Sequence, residues 1–126
     1  DEAGSNREDR TMSNVKYLGI TDEYNACTKC GKTNLKKTVV LEINESIEYW
    51  GTDCAAKVLY GKNTKANKDM VARRATAAQY ARNCVINDRS LEYIRDGIWN
   101  RFGFGSVIKD GALYAQFETG QLTQVA

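Results

Sequence analysis

The chain has 126 residues, 27% of them charged, with a formal net charge of +2 and neither histidine nor proline. That length predicts one domain with at most a small appendage, and a core small enough for a structural metal to supplement it. The missing histidine excludes the usual general base, the Ser/His and Cys/His nucleophile pairs and any His metal ligand. The near-neutral total gives no argument for a nucleic-acid partner.

Residues 1–14 are polar, charged and aperiodic, and are expected to be a disordered tail. Met12 is a candidate start that would make Asp1 to Thr11 an added segment; processing of a longer precursor fits equally. The remainder, 15–126, is expected to be a single zinc-containing domain, with a cysteine-rich half (15–61) and a half made of helices and a hairpin (62–126). Val15 to Ile20 is short and apolar and predicts a lead-in strand. Asp22 to Asn25 is loop-like and leads into Cys27-Thr-Lys-Cys30-Gly31.

Leu35 to Ile43 is β-branched and partly alternating, with Val39, Leu41 and Ile43 on one face and Thr38, Val40 and Glu42 on the other. Asn44 to Ser46 are turn-formers, and Ile47 to Trp50 returns as the partner strand. Gly51-Thr-Asp makes a corner into a short helix from Cys54 to Tyr60, ended by Gly61, with Thr52 or Asp53 as N-cap. Gly61 to Asn67 reads as a polar linker. Lys68 to Ile86 is alanine-rich and predicts a long helix, with Val71, Ala75, Ala78 and Val85 near one stripe and Met70, Ala77, Ala81 and Cys84 beside it.

Asn87 and Asp88 are expected to cap a further helix carrying Leu91, Ile94, Ile98 and Phe102, with Gly97 ending it early. Val107 to Phe117 is a hairpin signal, Asp110-Gly111 suiting a type I′ turn. Glu118 to Gly120 offers another turn before Leu122 to Val125. Trp50, Tyr49 and Trp99 are core candidates before they are stacking platforms.

Two thiolates separated by two residues reach one tetrahedral ion where the backbone turns sharply, and Gly31 permits that turn. Cys54 falls at a helix N-terminus, where free N–H groups favour a thiolate. No apolar run is long enough to span a membrane and no signal peptide pattern is present. Four cysteines then predict a reduced, cytoplasmic compartment (of a bacterium or an infected host cell) and metal ligation over disulfides.

Knuckle, hairpin and helix-start cysteine resemble the treble-clef zinc finger over Cys27 to Tyr60. More narrowly, Cys27-Thr-Lys-Cys30-Gly31-Lys32-Thr-Asn-Leu35-Lys36-Lys-Thr38-Val39-Val-Leu41 followed by Gly51-Thr-Asp-Cys54-Ala-Ala is similar to small, mostly uncharacterised phage and bacterial proteins. The resemblance implies a zinc treble clef over that stretch; with the two further helices and the C-terminal β-hairpin predicted beyond it, the expected fold is α+β. The family's usual fourth ligand would stand one turn after Cys54, at Lys57, which cannot serve. Cys84 is therefore expected as the fourth ligand of one structural zinc, with Cys27, Cys30 and Cys54. Asp53 or a water is the alternative, with Cys84 a buried thiol. A four-cysteine site would be closed and structural, whereas three cysteines with an open place would reopen a catalytic reading. A redox Cys-x-x-Cys is disfavoured, because a hairpin follows it and no βαβ unit surrounds it.

Other motifs carry less. Gly31-Lys32-Thr33 lacks the earlier glycine of a phosphate loop. Arg101-Phe-Gly-Phe-Gly-Ser-Val reads as a helix end followed by core aromatics, not as an RNA-binding sheet signature. Ala55 to Ile86 carries seven bases against the single acid Asp69, while the preceding hairpin is acidic. The expected function is accordingly a non-enzymatic, nucleic-acid-binding accessory protein, with Lys57, Lys62, Lys65, Lys68, Arg73 and Arg74 on phosphates and Lys36 and Lys37 beside them. The alternative is a protein-interaction module, for instance a phage-encoded modulator of a host enzyme, and an enzyme with an unrecognised site comes last.

Overall fold

A computed structural model describes residues 15–118 and 120–126; the predicted disordered tail lies outside the described residues. The fold is mixed α+β, with three helices and two three-stranded antiparallel sheets. The first sheet has the order β1 (Val15–Thr21), β2 (Thr38–Ile43), β3 (Ser46–Trp50). Helices α1 (Thr52–Tyr60), α2 (Lys65–Ile86) and α3 (Leu91–Phe102) follow. The second sheet is β4 (Ser106–Lys109), β5 (Ala112–Glu118) and β6 (Gln121–Gln124), in that order.

The expected alternation along β2 is muted. As the central strand it pairs on both sides, and Thr38, Val39, Val40 and Leu41 are all buried. The β2–β3 turn falls on Asn44 and Glu45, both at positive φ (52° and 71°), the twist-matched conformation a tight hairpin demands. Asp110 and Gly111 do the same between β4 and β5 (φ 53° and 78°), as the sequence predicts. The C-terminal strands exceed the expected hairpin, since β6 adds a third strand to β5.

Helix α2 starts a turn earlier than expected, because Thr64 caps it by accepting from the Asn67 N–H at 3.2 Å. Its buried face is Val71, Ala75, Ala77, Ala78, Ala81 and Cys84. The small side chains let its axis lie close to β1, the strand it packs against most extensively. Val85, expected in the stripe, is exposed, as the buried face ends on Ala81 and Cys84. Two other caps differ from expectation. Gly51, not Thr52 or Asp53, precedes α1 without a side-chain cap, and Ser90, not Asn87 or Asp88, caps α3 by accepting from Tyr93 N–H at 3.1 Å. One continuous core joins Tyr17, Leu41 and Trp50 of the first sheet to α2, to Ile94 and Ile98 of α3, and to Leu113 and Phe117 of the second sheet. Phe102 and Phe104 pack against it, whereas Trp99, a core candidate by sequence, is 61% exposed.

Gly97 does not end α3, which continues unbroken to Phe102. Its role is contact: a Cβ there would collide with the phenol of Tyr80 on α2, so the two helices meet where one has no side chain. Gly97→Ala is expected to lower unfolding free energy by about 1–3 kcal/mol, the range for overpacking a tight contact. Tyr80→Phe in the same chain should recover part of that loss, because the hydroxyl is the nearest atom. Urea unfolding of the single and double variants measures both.

Candidate metal centre and the placement of the basic residues

The knuckle is held shut by its own backbone. Cys27 N–H donates to Lys32 O at 2.9 Å, and Gly31 N–H to Cys27 O at 2.7 Å. Gly31 sits at φ 81°, a left-handed conformation that favours glycine. Asn25 bridges the loop's base twice, its carbonyl accepting from Leu35 N–H and its amide donating to Leu35 O. Thr28 fastens the loop to β3 through its N–H and hydroxyl, both directed at Tyr49 O. This clamp carries Cys27 and Cys30 to the first turn of α1, where Cys54 projects.

The three sulfur atoms lie within 4.8 Å of one another, with Cys27 buried, Cys54 half-buried and Cys30 exposed. Three thiols at that spacing can hold one metal ion. Burial raises the Cys27 thiol, but N–H donors from Gly51, Cys30 and Lys29, with the Cys54 side chain, outweigh it and leave Cys27 below its ordinary value. Cys54 behaves oppositely. Burial, with the sulfurs of Cys30 and Cys27 beside it, pushes its thiol up to about 12. Burial and the neighbouring sulfurs thus oppose the pull of the helix N-terminus towards a thiolate.

Cys84 is not in this group. The cleft beside the three thiols is bordered on α2 by Ala72 and Thr76. Cys84 lies eight residues past Thr76, about 12 Å farther along the helix axis at 1.5 Å per residue. It is buried there, its side chain interacting with Tyr80. Asp53 is outside the group too: its carboxylate meets Lys68 Nζ at 3.2 Å and Lys32 Nζ at 3.9 Å.

The basic residues singled out by sequence divide sharply. Arg74, its side chain 12% exposed, donates from Nε and Nη2 to Phe117 O at 2.9 and 2.7 Å and pairs with Glu118. Arg73 donates to Phe102 O at 2.8 Å and lies over the Phe104 ring. Lys65 pairs with Asp69 at 3.1 Å, and Lys68 with Asp53. Lys57 and Lys62 are exposed. Lys29 and Lys32, passed over in the charge argument, flank Cys30 on the exposed knuckle, and Lys36 and Lys37 continue that face. Their signal was the absence of any acid between Tyr24 and Leu41.

Metal binding must displace the Cys54 proton, so affinity should rise with pH from about 6 to about 8, read by competition with a chromophoric chelator. Cys27→Ser should abolish stoichiometric uptake, and chelation should lower the melting temperature of the loaded chain; a chelator that strips metal without moving it would refute a stabilising role. Arg74→Ala should cost about 1–3 kcal/mol in chemical unfolding, the scale for leaving a carbonyl without its charged donor, since the Glu118 partner is 36% exposed. No family model, curated protein or solved structure matches this chain significantly.

Proposed function

We propose that the chain is a non-enzymatic zinc protein of the treble-clef type that binds single-stranded nucleic acid as an accessory factor. The chemistry of the donor set favours zinc: three thiolates suit a borderline-soft, redox-inert ion, and the cluster lies where a knuckle, a hairpin and a helix start converge. The phage association rests on the sequence resemblance alone.

The observation that carries the nucleic-acid reading is an aromatic pair beside the knuckle lysines. Tyr24 is 51% exposed and packs on Tyr49 with ring centroids 4.1 Å apart. The pair lines a cleft of about 510 Å³ together with Lys37 and Arg82, and with the acids Asp22 and Glu23. Exposed aromatic faces accept stacked bases with little regard to sequence, while flanking lysines take the phosphates. This relocates the expected surface. Arg73 and Arg74 each donate to a backbone carbonyl, and we assign the phosphate contacts to Lys29, Lys32, Lys36 and Lys37, with exposed Lys57 and Lys62 as further candidates.

A second reading has its own support. Ile86 and Trp99 are 76% and 61% exposed, and Tyr93 is 47% exposed; apolar side chains of that size in the helical half fit a protein partner.

Fluorescence anisotropy of the zinc-loaded chain with labelled single- and double-stranded DNA and RNA, at two salt concentrations, separates the readings. Micromolar or tighter binding to single strands is expected, weakening steeply with salt. Tyr24→Ala should lose about 1–3 kcal/mol, and Lys36→Ala and Lys37→Ala should each reduce the salt slope by about 0.7. Absence of binding at low salt, or binding indifferent to these changes, would reject the proposal and turn attention to partners captured through Trp99.

A further inference from the structure

Cys27, Cys30 and Cys54 all line one cleft of about 520 Å³, with Lys32, Lys36 and Lys37 outnumbering the one acid that borders it, Asp53. A tetrahedral ion held by three protein sulfurs lacks a fourth donor. Among the described residues no other cysteine or carboxylate joins the group: Cys84 is turns away along α2, and Asp53 is tied to Lys68 and Lys32. Histidine is absent from the chain. The side of the site not taken by protein sulfur opens onto that cleft.

We infer that the fourth coordination position is taken from solution, by a small thiolate. The inference rests on the metal reading above but not on the nucleic-acid reading. A divalent ion with three thiolates carries a net charge of −1, and a fourth thiolate makes it −2. Such a ligand is repelled unless cations stand close, and Lys32, Lys36 and Lys37 supply them. A sulfur donor matches the softness of the existing set. On binding, the thiol's proton goes to solvent, its sulfur bonds to the metal, and the solvent molecule that held the position leaves. The cleft has room for the rest of a low-molecular-weight thiol, and a carboxylate on it would meet the lysines.

Absorption spectroscopy of the full chain loaded with Co²⁺ tests this directly. Sulfur-to-cobalt charge-transfer intensity should correspond to the three protein sulfurs before addition, and to one more after titration with N-acetylcysteine, with the ligand-field bands shifting in step. N-acetylalanine should produce no such change. Cys84→Ala should leave both spectra as they are. At saturating cobalt, Lys32→Ala should weaken thiol binding roughly three- to tenfold, as expected for one nearby charge. Full sulfur intensity in the untreated chain, lost in Cys84→Ala, would overturn the inference by closing the site from within. So would a spectrum that ignores the thiol at saturation. A chain that takes up no cobalt would remove the metal reading and this inference together, whereas cobalt uptake without a thiol response would remove this inference alone.

Discussion

The guanidinium of Arg74 is the centre of the polar contacts that tie α2 to the second sheet, beside the apolar core. It leaves α2 with 12% of its side chain exposed and meets Phe117 O and Glu118 on β5. It also lies over the rings of Tyr60 and Phe104. Tyr60 of α1 donates to Glu118 at 2.5 Å and shares a hydroxyl contact of 3.1 Å with Tyr17 of β1. Burial and the Glu118 carboxylate together push the Tyr60 phenol up to about 12, which keeps it a donor. Charges taken out of water must be paired and hydrogen-bonded, and here the partners of Arg74, Tyr60 and Tyr17 come from β1, α1, α2 and β5. The second sheet is thus attached by a polar junction set beside the apolar core.

That junction changes what the charge distribution means. Seven bases with one acid look like a basic face, yet Arg74 is largely buried against Phe117 O and Glu118, and Arg73, though exposed, spends its Nε on Phe102 O. Part of the clustered charge is therefore engaged in holding the fold together. The knuckle lysines make no ion pair among the described residues except the 3.9 Å contact of Lys32 with Asp53, and Lys57 and Lys62 are exposed as well. The backbone bonds around Cys27, Gly31 and Asn25 tie the loop that carries the knuckle lysines to its own base.

How far the sequence carried depends on the range of each interaction. The β2–β3 hairpin, the turn at Asp110-Gly111 and the closeness of Cys27 to Cys30 are written in residues near one another in the chain. Cys84 defeated the same logic, because the level at which α2 crosses the knuckle is set by packing against β1, which no local pattern reports. Arg74 failed for a similar reason: its acceptor lies 43 residues away. Gly97 reads as a helix breaker in isolation and as a contact surface only when Tyr80 is seen opposite. Trp99 lies at helical spacing, yet points outward because Ile94 and Ile98 already fill that side of α3.

Lys37 borders both the thiol-lined cleft and the tyrosine-lined one, and Ile20 lines each. The two clefts therefore share one wall, and the charge on it acts in both directions. On the proposed reading, a metal with three thiolates would leave a local negative charge that lowers the pull of these lysines on a polyanion, and a phosphate drawn to Lys37 would reduce the field available to an anionic metal ligand. The two proposals therefore compete for the same cations, because one side chain cannot offset a thiolate-rich site and a phosphate at full strength together.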